Sequence, residues 1–499
     1  MNRKVLTFLL LFIIITTSLS LAEEVEKEKD SFGKITTLIT LPESDIIYIV
    51  LSFKTGTVRD PEGKEGLNYV TAGLIEDNIK KGLNEKALTS GAGVSRQVDK
   101  EITTFFFKVH KDKFDITYPI FISEVISPDI NENSLERAID SALNIREDLI
   151  NHGESLSLEA LDLFIYRNHP YGIPDFGTKL SLKNINIEDI KSFHSGFYTF
   201  ENYELGIGCK NPKKILERVK KDLSSLPAGK PEEVVIKEPE KFNGNKVLII
   251  KKDDATTAIA LGFPLDITRS DSDYYPLLLA NSYFGHHRYM QGYLFIHLRS
   301  ARGFNYGDYS YIEKFVEGDQ DKMPQTRIPR QKQYFYIWIR NLSNENACFA
   351  TKFTIYSLEK MIKKGLSPEI FRLNRDFIWH NAKLWDFDIL QKLGFSMDSD
   401  FYHTPYFIDY IEKMIKDIKN KDVTEALQRR LGGRNIKMVF VTGEPQKLKE
   451  QLLGKKDCKP VYETTLSEED QKIDEIVLKY NLKLRPEDIE IIEVEDIFK

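Results

Sequence analysis

The chain has 499 residues, 41% hydrophobic and 29% charged, the makeup of a globular protein, which excludes disorder and fibrous repeats. That length is too great for one core and suits two or three domains. With 70 basic against 76 acidic residues the formal charge is -6, no basic block is dense, and nucleic acid is excluded as a partner.

Met1 to Ala22 predicts a secretory signal peptide: Arg3 and Lys4 precede an apolar stretch from Val5 to Ile15, and Ser20-Leu21-Ala22 offers small residues at a cleavage site. The apolar stretch is shorter than the roughly 20 residues that span a bilayer, so no stable membrane anchor is expected. The mature chain is expected in the periplasm or secreted. Cys209, Cys348 and Cys458 lie far apart without a C-x-x-C pair, which predicts neither a disulfide framework nor a zinc knuckle. Cys209, closing the apolar run ELGIGC, reads as a small buried hydrophobe.

Ile46 to Phe53 (IIYIVLSF) predicts a strand, and Leu67, Val70, Leu74 and Ile75 mark one face of the helix that follows. Thr103 to Val109 predicts a second strand and Ser134 to Asn151 a long helix. The pattern then returns. Thr257 to Phe263 (TAIALGF) precedes the apolar helix YYPLLLANSYF; Phe53 with Phe263 and Arg59 with Arg269 are each 210 residues apart. NYELGIGCKNPKKILERV from Asn202 resembles NIKMVFVTGEPQKLKEQL from Asn435, each a strand, a turn with proline and an amphipathic helix, now at an offset of 233. About 23 extra residues are therefore assigned to the polar stretch near Glu317 to Arg330. Tyr334 to Ile339 predicts a further strand, and Asn346 to Lys364 a further helix.

This repeat predicts an α+β protein of two homologous domains, each a mainly antiparallel sheet packed with helices on one face. The expected boundaries are 35–226 and 247–455. A Pro/Gly-rich linker joins them at 227–246, and an acidic tail at 456–499 is expected to run along the surface.

Several phrases resemble the insulinase or pitrilysin-type metallopeptidase family, in its processing-peptidase-like branch: KTGTVRDPEGKEGLNYVTAGL (Lys54 to Leu74), GAGVSRQVDKEITTFFFKV (Gly91 to Val109), HPYGIPDFGTKLSLKNINIEDIKSFHSGFYTFEN (His169 to Asn202) and LRSARGFNYGDYS (Leu298 to Ser310). The resemblance implies zinc held by H-x-x-E-H on the helix after Gly66-Leu67, with a Glu as general base and a distal Glu as third ligand. Here the three motif positions carry Tyr69, Ala72 and Gly73, and the distal one falls near Ile145. None can ligate zinc or act as that base. No two of the nine histidines stand at i,i+4, so no replacement pair is legible and no metal is expected in this chain.

The resemblance also implies that a zinc-free half reaches across to its partner's zinc with an Arg and a Tyr seven residues later. Arg299 and Tyr306 match that spacing, with Arg302 as an alternative match. The expected function is that of a non-catalytic subunit of a heteromeric zinc metalloendopeptidase acting on peptides or unfolded polypeptides. Its partner would be a zinc-bearing homologous subunit with H-x-x-E-H, and the two would bind an extended peptide along a sheet edge. The alternative is an inactive peptidase homologue serving as a binding or scaffold protein. No G-x-S-x-G and no Cys beside an activating His offer a self-sufficient peptidase.

Overall fold

A computed structural model describes residues 25–29, 34–318 and 323–499; the signal peptide predicted at 1–22 lies outside the described residues, as do 319–322 of the predicted insertion. Two six-stranded sheets carry the fold. The first is built from β1 (Val25–Lys29), β2 (Ile35–Thr40), β3 (Ile46–Phe53), β4 (Gly93–Val98), β5 (Thr103–His110) and β6 (Tyr203–Cys209), in the order β1-β2-β6-β3-β5-β4. The second comprises β7 (Lys246–Lys251), β8 (Thr256–Leu265), β9 (Asp308–Tyr311), β10 (Gln333–Ser343), β11 (Lys437–Thr442) and β12 (Ile489–Glu493), in the order β12-β7-β11-β8-β10-β9. Position by position the orders are the same, so the repeat read in the sequence is a repeat of fold. The pairing is mainly antiparallel, with parallel contacts between β2 and β6, β7 and β11, and β7 and β12.

The outer position beside β2 and β7 breaks the repeat. β1 comes from the N-terminal end of the chain and pairs antiparallel, whereas β12 comes from the C-terminal end and pairs parallel. The segment 456–499 is therefore not a surface tail. After the helix Glu468–Leu478 it completes the second sheet, and Phe498 packs edge-on against Phe176 of the first half, 5.2 Å between ring centroids. Its acidic composition concealed a short apolar run, IEIIE, that a sheet edge can bury.

Helices cover both faces of each sheet, not one. The halves exchange an element: the helix Gly153–Ile165 of the first packs on β8 and β11 of the second, and the helix Ile389–Phe401 of the second packs on β2, β3 and β6 of the first. The glycines of LGIGC make the second contact possible. A Cβ on Gly206 would stand 3.0 Å from the sulfur of Met397, and one on Gly208 would stand 2.8 Å from Ile389 Cγ2. Leu393 and Met397 thus reach the sheet and pack with Ile39, Val50 and Phe106.

The specific HPYG-x-P-x-x-GT segment also has a packing reason. Gly66 (φ 93°) starts the helix Leu67–Ala87, and a Cβ there would stand 2.9 Å from Gly177 (φ 75°). Only two glycines allow this backbone-to-backbone approach at left-handed φ. Asp60 then caps the helix, accepting from the N–H groups of Gly66 (2.7 Å) and Asn68 (2.8 Å).

The stretch read as a polar insertion ends as an internal strap between the halves. Arg330 is fully buried and binds Asp99 with Nε (2.8 Å) and Nη2 (2.6 Å), while its Nη1 reaches Asp162 at 3.2 Å. Arg327, equally buried, bridges Asp398 (3.1 Å) and Glu204 (3.0 Å). Lys314 adds a contact of 2.8 Å to Asp162, whose carboxyl, pushed up by burial, is held well below its usual range by Lys314 and Arg330. A further correction concerns the cysteines. Cys348 and Cys458 form a disulfide that ties the helix Ala347–Lys364 to the segment after the helix Pro445–Leu452. Their separation of 110 residues hid a pairing that the fold creates, with Cα atoms 5.5 Å apart. Cys209 is buried and free, as expected.

Candidate functional site

On the helix Leu67–Ala87 the three motif positions present a half-buried phenol, a buried methyl and a buried hydrogen atom, at Tyr69, Ala72 and Gly73. A guanidinium occupies the space they leave. Arg96, projecting from the edge strand β4, lies 4.7 Å from the centroid of the Tyr69 ring, and a Cβ on Gly73 would stand 3.2 Å from its Nη2. Arg96 pairs with Glu76, one turn along the same helix, and Glu76 also accepts from Lys80 at 2.8 Å. Burial pushes the Tyr69 phenol up, away from the phenolate that would ligate a cation.

Zinc does not fit this donor set, because a fixed positive charge already satisfies the one carboxylate present. Ile145 is 41% exposed on the helix Glu132–Asn151 and lines an open surface groove. Among the described residues no three His, Cys, Asp or Glu side chains converge to hold a metal. Sequence reasoning missed Arg96. Its role depends on the pairing of β4 beside this helix, which no local pattern reveals. We expect the purified chain, after dialysis against chelator and then micromolar zinc, to hold no stoichiometric zinc by elemental analysis. About one tightly bound zinc per chain would overturn this assignment.

Arg299 and Tyr306 lie together on the other half. A π-helical turn, Phe295–Ser300, delivers Arg299, and the bend before β9 delivers Tyr306. The guanidinium sits between two rings, 4.8 Å from the centroid of Phe295 and 5.2 Å from that of Tyr306. Tyr306 is 77% exposed. Among the described residues no carboxylate lies within ion-pair distance of Arg299. Burial pushes the Asp308 carboxyl up to about 8, opposed by the Asn305 hydrogen bond and by the charge of Arg299. The Asn305 amide holds the bend by donating to Asp308 Oδ1 at 2.7 Å. Arg302, the alternative match, is fully buried and consumed: it binds Asp474 at 2.6 Å and the carbonyl of His297 at 2.6 Å.

His286 and His287, between the helix Tyr274–Gly285 and this bend, are buried rings and not ligands. His287 Nδ1 meets the Tyr311 hydroxyl at 2.7 Å. Burial pushes His286 down to about 4 and His287 to about 3, from an ordinary value of 6.5. The folded pKa values are depressed, so stability from these rings is complete above pH 6.5 and is lost as the pH falls toward 4 and 3. Near pH 5, unfolding should therefore take up about one proton per ring. His286→Gln and His287→Gln should each lower the uptake by about one, read from the pH dependence of the denaturant midpoint. Unchanged uptake in both variants would contradict neutral buried rings.

Two like α+β halves without a zinc motif, carrying an exposed Tyr306 beside a partly buried Arg299, define the class. Residues 184–375 match the family model described as Peptidase M16 inactive domain. Zinc protease PqqE of Helicobacter pylori is 25% identical over 234 residues, 44% of this chain and 52% of that protein, so the matched stretch spans about half the length of this relative. An uncharacterized zinc protease of Rickettsia bellii is 23% identical over 283 residues, 56% of this chain and 67% of that protein. Among solved structures, a peptidase M16 inactive domain from Pseudomonas fluorescens superposes with a TM-score of 0.71 at 20% identity, covering 84% of this chain and 97% of that one. A protease from Helicobacter pylori gives 0.67 at 19% identity, with 84% and 99% covered. Residues 184–375 thus resemble the inactive domain of peptidase M16, and the chain shares the two-halved fold of the M16 structures.

Proposed function

We propose that this chain is the non-catalytic subunit of a two-chain zinc endopeptidase outside the cytoplasm, and that Arg299 and Tyr306 complete the zinc site of an H-x-x-E-H partner. The observation that carries this reading is the presentation of the pair: Tyr306 is exposed, Arg299 is partly exposed and sits over its ring with no carboxylate within ion-pair distance among the described residues, while neighbouring Arg302 is spent on structure. The partner's zinc would supply a polarised water. Tyr306 donates a hydrogen bond to the oxyanion that forms at the attacked peptide carbonyl, and Arg299 holds that charge or an adjacent carbonyl with its planar fork. The Cys348–Cys458 disulfide supports an oxidising compartment, in line with the signal peptide expected from the sequence. The open edge of β4 supports binding of an extended peptide by strand addition.

The test is reconstitution. Purified chain is mixed with a purified H-x-x-E-H homologue, and cleavage of an unfolded polypeptide is followed. Neither chain alone should cut appreciably, the mixture should, and chelator should abolish it. A partner equally active alone would sink the reading. The same protein would then be the binding or scaffold homologue, for which the Arg96 plug supplies an inert first half.

A further inference from the structure

One end of the first sheet holds a cavity of about 490 Å³ that the peptidase reading does not use. Three turns enclose it: Ser44-Asp45 before β3, Lys111 to Asp115 after β5, and Cys209 to Asn211 between β6 and the helix Pro212–Leu223. Its floor is apolar, made by Ile47, Phe114, Ile215 and the Cys209 side chain. Burial pushes the Cys209 thiol up to about 11, so it adds no charge at neutral pH.

The rim is cationic. Lys111, Lys210, Lys214 and Arg218 line it against two carboxylates, Asp45 and Asp115. Both carboxylates are taken: Lys111 holds Asp45 at 2.6 Å, with the His110 ring at 3.9 Å, and Arg218 holds Asp115. Arg218 is further fixed over the rings of Phe114 and Tyr118, 5.2 and 4.9 Å from their centroids. Lys210 and Lys214 have no carboxylate within ion-pair distance among the described residues. Between them the helix Pro212–Leu223 begins with no side-chain cap, which leaves its first free N–H groups at the same rim.

We propose that this cavity binds a small amphiphilic anion, with an aromatic or alkyl body on the Ile47, Phe114 and Ile215 floor and one sulfonate or carboxylate group between Lys210 and Lys214. The apolar floor supplies burial, and the two unneutralised ammonium groups with the uncapped helix start supply the charge. A carbonyl or hydroxyl group would gain little from that rim, so charge on the ligand decides binding.

The probe is 8-anilinonaphthalene-1-sulfonate, titrated into the full folded chain, with N-phenyl-1-naphthylamine as the same body without the sulfonate. One saturable site is expected for the anion. Lys210→Glu with Lys214→Glu should weaken it about tenfold or more, and the uncharged analogue should bind at least about tenfold more weakly. Both substitutions lie on exposed lysines, and an unchanged far-UV spectrum verifies folding. Phe387→Ser, which removes a remote apolar side chain 85% exposed, should leave the affinity as it was. Equal binding of the uncharged analogue, unchanged affinity in the double lysine variant, or loss of the signal in Phe387→Ser would each overturn the assignment.

Discussion

Arg330→Ala is expected to lower the free energy of unfolding by about 3–5 kcal/mol, the usual cost of removing one partner from a buried ion pair. Arg330 is contributed by the second half of the chain, yet both its carboxylates, Asp99 and Asp162, belong to the first. Asp162 keeps Lys314, but among the described residues Asp99 has no other cation within ion-pair distance and would be left as a buried, uncompensated charge. Arg330→Met together with Asp99→Leu should cost much less than Arg330→Ala, because no charge is stranded. The measurement is the urea midpoint followed by tryptophan fluorescence and by far-UV dichroism. A loss under about 1 kcal/mol in Arg330→Ala would mean that water reaches Asp99 and that the strap does not bind the halves together.

In the reconstituted pair, Tyr306→Phe is expected to lower kcat on the order of 10²–10³-fold with little change in KM, since the lost hydrogen bond serves the oxyanion more than the bound peptide. Stability should not move, because Tyr306 is 77% exposed and its hydroxyl makes no hydrogen bond among the described residues. Arg299→Lys should also be harmful. A point charge cannot reproduce a planar fork, and the stacking on Phe295 and Tyr306 that orients the side chain weakens. Gel filtration separates a chemical role from an assembly role: the variants should still bind the zinc-bearing chain. Wild-type kcat and KM in both would remove this chain from the chemistry and favour the scaffold reading.

The duplicated fold was legible because its signals are local. A β-rich run followed by a helical period appears twice, and the glycine-rich ends of those runs mark turns that any fold must respect. That Tyr69, Ala72 and Gly73 do not form H-x-x-E-H was legible for the same reason, wherever the helix goes. What packs against those positions was not legible. Arg96 and Glu76 are 20 residues apart on different elements, and only the packing of β4 against the helix makes them one pair. The strap misled in the same manner. Arg327 and Arg330 are charged, and charge reads as surface until three-dimensional neighbours show buried carboxylates.

By itself, then, the chain's order of residues determined two like α+β units, the absence of a metal-binding motif, and an Arg/Tyr pair seven positions apart. Each depends on residue type and spacing within one element or turn. Tertiary structure alone decided which arginine is free and which is spent, that the halves exchange helices across their sheets, that Cys348 meets Cys458, and that the final residues complete a sheet. These are contacts between segments up to hundreds of residues apart. Their free energy comes from burial and pairing that exist only once the chain has closed on itself.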